Sequence, residues 1–202
     1  MNKILVLFAH PALEKSRVHT RLLNSIDHID GVTINDLYQW YPEFDIDVQR
    51  EQELLLSHDI IVFQHPFYWY SAPALLKQWQ DLVLEHGWAY GKNGNNLKGK
   101  RIFNALTSGG GMDAYQLTGR QQCTVHELLK PFERTATLCQ MKYLPPFWVP
   151  GSHRMEIPEI DMYAREYRDL LVSLRDSVFE EKALGSCTFL NELKKPSLKK
   201  LL

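Results

Sequence analysis

Cysteine is scarce: Cys123, Cys139 and Cys187 lie far apart, form no CxxC pair and cannot all pair with one another. They read as packing residues in a reducing compartment. An excess of charge is missing too, since 23 Lys and Arg stand against 24 Asp and Glu for a formal charge of -1. Without a basic surplus the chain lacks the phosphate attraction that nucleic-acid binders rely on, which excludes nucleic acid as the main partner. Long apolar runs are absent as well. The longest uncharged stretch, between Asp59 and Lys77, contains Gln64, His65 and two prolines, so it fails as a membrane span of roughly 20 residues. The opening "MNKILVLFAHP" has one lysine and a short apolar run ended by His-Pro, too little for a signal peptide. A cytoplasmic protein is expected. No internal repeat or low-complexity segment occurs.

What is present is an ordinary globular composition, 45% hydrophobic and 23% charged, in 202 residues, which one hydrophobic core can serve. Four short apolar runs recur, "KILVLFA" (3–9), "GVTINDL" (31–37), "DIIVFQ" (59–64) and "GKRIFNALT" (99–107), with a weaker fifth in "CQMKYLPPFWV" (139–149). They mostly lack polar alternation, as buried parallel strands do. Helical spacing fills the gaps: Val18, Leu22, Leu23 and Ile26 share one face, and Leu75, Leu76, Trp79, Leu82 and Val83 another. Strand and helix in alternation predict an α/β fold with right-handed crossovers. Five strands point to a flavodoxin-like three-layer sandwich with a five-stranded parallel sheet. A last helix is expected over 158–182, with Ile160, Tyr163, Tyr167, Leu170, Leu171, Leu174 and Val178 on its apolar face. The flavodoxin-like domain is assigned to residues 1–182 and a C-terminal tail to 183–202. The tail's Lys194, Lys195, Lys199 and Lys200 read as a solvated terminus.

In such sheets a ligand lies beyond the carboxyl ends of the strands, at the loops after strands one, three and four. Those loops are the unusual ones here: "HPALEKSRVHTRLLN", "HPFYWYSAP" and "TSGGGMDAYQLTGR". Ser16 suits a helix cap, and the N–H groups of Arg17, Val18 and His19 would then face an anion at the positive end of the helix dipole. A plain structural cap explains the same residues. Gly109, Gly110 and Gly111 permit close backbone approach or simply a flexible turn. Aromatics in the second loop, Phe67, Tyr68, Trp69 and Tyr70, can flank a flat ring such as an isoalloxazine. A dimerisation patch is the other account of them, and the two are compatible.

At these residues the chain resembles the NAD(P)H dehydrogenase (quinone) flavoproteins, through "AHP…S…H", "HPFYWYSAPALLKQWQD" and "TSGGG…AY". Through "LYQWYPEFDIDVQREQELL", "LEHGWAYG" and "YLPPFWV" it is also similar to ancillary subunits of glutathione-gated potassium-efflux antiporters. The resemblance covers about residues 3 to 175. It implies that His10, Ser16, Arg17, Val18 and His19 hold the flavin phosphate, with His19 where Asn is frequent. It implies that Phe67, Tyr68, Trp69 and Tyr70 line one side of the flavin, and Thr107, Ser108, Gly109 and Gly110 its other edge. Tyr115 matches a tyrosine that steadies the reduced flavin, while the accompanying histidine is replaced by Gln121, which carries no positive charge.

The expected activity is two-electron, ping-pong hydride transfer from NADPH or NADH through FMN, with FAD as the alternative, to a quinone or other small electrophile. A homodimer is implied. So is an ancillary role at a potassium-efflux antiporter, peripheral on the inner membrane through that partner. The competing reading is a regulatory binding subunit with secondary redox activity; a one-electron carrier fits less well, since flavodoxins are usually strongly acidic. No metal site is expected. "GNNLKGKR" (94–101) ends in Arg where a phosphate loop needs Ser or Thr, and "HELLK" from His126 has Lys130 where a zinc helix needs its second histidine.

Overall fold

Every residue of β1 (Ile4–Phe8) is buried, and successive side chains enter different cores, Leu5 and Leu7 one, Ile4 and Val6 the other. A strand buried on both faces belongs in the middle of a sheet covered on both sides. The computed structural model describes residues 1–193. Within it follow α1 (Arg17–Ile26), β2 (Val32–Asp36), α2 (Leu37–Trp40), α3 (Val48–Ser57), β3 (Ile60–Pro66), α4 (Ala74–Val83) and β4 (Arg101–Thr107). After them come α5 (Val125–Leu128), α6 (Lys130–Leu138), β5 (Lys142–Tyr143), β6 (Phe147–Val149), α7 (Ile157–Arg175) and α8 (Glu181–Ser186). The order is β2-β1-β3-β4-β5, all pairs parallel, with β6 also on β4. This is the flavodoxin-like three-layer sandwich. One core carries Leu37, Leu55, Leu75, Leu76, Trp79 and Phe132 from α2, α3, α4 and α6; the other carries Val18, Leu22, Ile26, Ile160, Tyr167 and Leu171 from α1 and α7.

The fifth strand is interrupted. β5 pairs with the start of β4 and β6 with its end, and between them Pro145 and Pro146 supply no N–H for the ladder. Two helical expectations also change. Leu82 is exposed on α4. α7 stops at Arg175 because Ser177 takes a left-handed conformation (φ 55°) and the Val178 N–H donates to the Ser173 carbonyl at 2.9 Å, a Schellman ending with Ser where Gly is usual. Val178 is consequently exposed.

Residues 183–193, read from the sequence as the start of a tail, pack on the body. Leu184 and Leu190 are buried in the core beneath α1 and α7. Asn191 accepts from the Trp148 N–H at 2.9 Å and donates to the Trp148 carbonyl at 3.1 Å, so its amide caps the outer edge of β6. Lys194, Lys195, Lys199 and Lys200 lie outside the described residues. The segment read as a failed phosphate loop has a structural use: Lys100 donates to the carbonyls of His58 (2.6 Å) and Leu56 (3.2 Å), closing the C-terminus of α3. His126 of "HELLK" hydrogen-bonds the Thr188 carbonyl at 3.0 Å.

Candidate active site

Because β1, β3 and β4 are parallel and in register, their carboxyl ends emerge together, Phe8 beside Gln64 and Pro66 beside Thr107. The three loops that leave them enclose one cavity of about 400 Å³. The first loop contributes His10, Lys15, Ser16, Arg17 and Val18 to its lining, and the other two Phe67, Tyr68 and Gly109, with Thr107 at the end of β4; the His10 and Tyr68 rings meet edge-on at 6.0 Å.

The first loop makes a 3-10 turn, Leu13–Lys15, before Ser16 caps α1 by accepting the His19 N–H at 3.2 Å. That bond uses the His19 N–H expected to face a ligand. The N–H groups of Arg17 and Val18 have no acceptor among the described residues and remain for an anion. His10 accepts the Ala12 N–H on Nδ1 at 3.1 Å, which leaves its proton on Nε2; burial lowers its pKa, partly offset by Glu14. The Arg17 guanidinium donates to the Met155 carbonyl at 3.0 Å.

The second loop is a two-residue hairpin. Tyr68 and Ser71 exchange N–H to carbonyl bonds of 3.1 and 3.0 Å, and Trp69 and Tyr70 both sit at positive φ, 48° and 62°. A type I′ turn demands those angles and usually takes Asn-Gly; two aromatics there cost about 1–3 kcal/mol each. Only half of the aromatic cluster lines the cavity. Phe67 and Tyr68 do, whereas Trp69 is 94% exposed and Tyr70 turns to donate to Gln121 Oε1 at 3.0 Å.

In the third loop Ser108 is buried, donates to the Gly110 carbonyl (2.8 Å) and accepts from the Trp148 indole (2.9 Å), so it holds the loop and does not line the cavity. A Cβ at Gly109 would stand 2.5 Å from the ring of His153, an exposed side chain that would have to move to admit it. Gly110 lies under Tyr115, 3.1 Å from where its Cβ would be. Tyr115 packs edge-on between Phe67 and Trp148, at 6.1 and 5.7 Å, with burial raising its phenol pKa. Neither Tyr115 nor Gln121 lines the cavity; they buttress its rim.

Sequence reasoning misses Lys15, Ser152 and His153 in the lining. The last two follow β6, and the Ser152 N–H donates to the Ser108 carbonyl at 2.9 Å, so a fourth strand end joins the other three. Its signal is "GSH" (151–153), one proline beyond the fifth apolar run. His19 is displaced in the other sense: its ring is buried beneath the cavity floor, Nε2 being 3.1 Å from Thr107 Oγ1 and Nδ1 3.4 Å from Gln64 Nε2. Burial, and then the neighbouring His10 and His65, hold its pKa well below the usual value, so it is neutral. Gln64 Oε1 accepts from the Tyr167 hydroxyl at 2.9 Å. Across the sheet, Tyr143 donates to Asn104 Oδ1 (2.6 Å), Asn104 Nδ2 meets His65 Nε2 (2.9 Å), and His65 Nδ1 meets the Pro66 carbonyl (2.9 Å).

A family model described as a flavodoxin-like fold matches residues 2–171. A glutathione-regulated potassium-efflux system ancillary protein, KefG, of Pectobacterium carotovorum is 44% identical over 171 residues, 85% of this chain and 93% of that protein. General stress protein 14 from Treponema denticola, solved in complex with FMN, superposes with a TM-score of 0.80 at 41% identity, covering 85% of this chain and 99% of that one. An NADPH-quinone reductase from P. pentosaceus gives 0.76 at 34% identity, covering 83% and 96%. The chain belongs to the flavodoxin-like NAD(P)H oxidoreductase family.

Proposed function

We propose that this chain is an FMN-dependent NAD(P)H:quinone oxidoreductase. The observation that carries the reading is that one cavity is lined by unpaired helix N–H groups, two cationic side chains, two aromatics and a glycine. That donor set fits a flavin mononucleotide. The N–H groups of Arg17 and Val18, the Ser16 cap and Lys15 would hold the phosphate, and Phe67, Tyr68, Thr107 and Gly109 the ring. FMN is preferred to FAD because the Treponema denticola relative was solved with FMN. A bound flavin supplies acceptance of a hydride from reduced nicotinamide and its delivery, as two electrons, to a quinone or other small electrophile.

The chain's own groups bind and orient. Phe67 and Tyr68 give the lining an apolar portion, and Gly109 brings backbone to it without a side chain. Donor and acceptor take the same open side in turn, which makes the cycle ping-pong. Gln121 offers no charge to a reduced ring, so compensating charge comes from Lys15 and Arg17 at the phosphate end. Purified protein should be yellow, bleach with NADPH under nitrogen and recover its colour with a quinone. A colourless chain that takes up no FMN overturns the proposal, and colour that does not bleach reduces the flavin to a structural part.

A second role is supported by the KefG relative: ancillary subunit of a potassium-efflux antiporter. No helix among the described residues is long and apolar enough to cross a membrane; in this role the chain would be peripheral on the inner membrane through its partner. Trp69 and, on the third loop, Met112 and Leu117 are exposed beside the site, which supports a homodimer covering the cavity mouth. Co-purification with the antiporter in mild detergent and sedimentation analysis of the free protein test the two associations; their absence removes them.

A further inference from the structure

We infer that His19 does not touch the ligand but is a positioning residue: a one-way hydrogen-bond relay from Tyr167 through Gln64 and His19 leaves the Thr107 hydroxyl as a donor into the cavity. Protons alone decide the direction. The Tyr167 hydroxyl is fully buried and Gln64 Oε1 is its one hydrogen-bond partner among the described residues. It therefore donates, because the reverse arrangement leaves a buried O–H without an acceptor, a loss of about 1–3 kcal/mol. The Gln64 carbonyl being engaged, its amide Nε2 faces His19 Nδ1, which must accept. The imidazole is neutral, so its one proton sits on Nε2 and points at Thr107 Oγ1. Thr107 receives that bond and has no other side-chain partner among the described residues, while it lines the cavity. Its own proton is left for the ligand.

The floor of the site thus selects an acceptor atom, a carbonyl oxygen or an unprotonated ring nitrogen, and disfavours an N–H at that position. The inference rests on the flavin reading for the identity of the ligand; the donor direction is set inside the protein. It also accounts for histidine at position 19, since a short amide would not reach both Gln64 and Thr107.

Nitrogen-15 NMR of histidine-labelled protein with and without FMN, together with FMN affinity and midpoint potential, tests it. His19 should be an Nε2–H tautomer in both forms at pH 7. Thr107→Val should weaken FMN about tenfold and shift the potential, and Thr107→Ser should restore both to within about twofold. Tyr167→Phe should release the direction, giving mixed His19 tautomers and FMN binding weakened about threefold. Tyr143→Phe, in the relay across the sheet, should leave tautomer, affinity and potential unchanged. An Nδ1–H tautomer, an imidazolium, or Thr107→Val binding FMN as tightly as the parent at the parent potential overturns the relay while leaving the flavin reading intact. If the parent itself takes up no FMN, the flavin reading fails, and the tautomers of the parent and of Tyr167→Phe still decide the relay.

Discussion

Two buried relays of the same composition, tyrosine to amide to histidine, lie on opposite faces of the sheet, and they end differently. On the α6 side Tyr143, Asn104 and His65 terminate on the Pro66 backbone carbonyl. On the α1 and α7 side Tyr167, Gln64 and His19 terminate on a hydroxyl that lines the cavity. Gln64 and His65 are adjacent on β3, so strand alternation alone sends one to each face. The first relay is closed, its last proton, on His65 Nδ1, going to a backbone carbonyl, and so it stabilises. The second is open by one donor at the site. A buried network becomes functional where its last proton lacks a partner in the chain.

The closed relay is the place to expect the largest loss. Asn104→Leu strands the Tyr143 hydroxyl and His65 Nε2 in the core, at a cost of about 3 kcal/mol in urea denaturation. FMN affinity of the folded fraction should stay within about twofold. A matching loss of affinity would mean that the two faces are coupled and the contrast false.

Acid sharpens the same contrast with a smaller effect. Burial depresses the His65 pKa to about 4, from the ordinary value of 6.5. The unfolded chain then binds the extra proton between those values, so the stabilisation is complete above pH 6.5 and is lost as pH falls toward 4. From pH 7 to 5 this histidine alone should remove about 2 kcal/mol, and His19, depressed for the same reason, adds to it. Stability measured by urea titration at the two pH values checks it; a flat profile would show that both imidazoles titrate normally.

Much of the architecture was legible because apolar runs of strand length alternate with helical periodicity, and the parallel order then dictates which loops meet. The relays were not legible. Tyr167 and Gln64 are 103 residues apart, and nothing local tells a core tyrosine from one that orients a site. His19 sits in the first turn of α1 at the place of a phosphate ligand, and only its burial and its bonds to Thr107 and Gln64 show that it points the other way. The split of the fifth strand was written in Pro145-Pro146, but the end of α7 was not, since Ser177 takes a conformation normally announced by glycine. Likewise Trp69 and Tyr70 read as cavity wall, because a positive-φ turn has no signature when aromatics occupy it.

That turn carries the contrast between site and scaffold into the backbone and yields the smallest effect. Trp69 and Tyr70 hold angles that Asn and Gly adopt at little cost. Trp69 is almost wholly exposed, so removing it forfeits no core burial, and the Tyr70 bond to Gln121 is an exposed one. The pair Trp69→Asn and Tyr70→Gly should therefore raise stability by about 1 kcal/mol, the relief of strain less the lost hydrogen bond. Turnover with NADPH and quinone should fall, because the rim loses the tether between its second and third loops and the aromatic surface beside the mouth. A gain in melting temperature with undiminished turnover would show that the strain serves no purpose at the site. A variant less stable than the parent would mean that the two aromatics are held by a contact that repays their angles, which places their value in assembly, with a second copy covering the mouth.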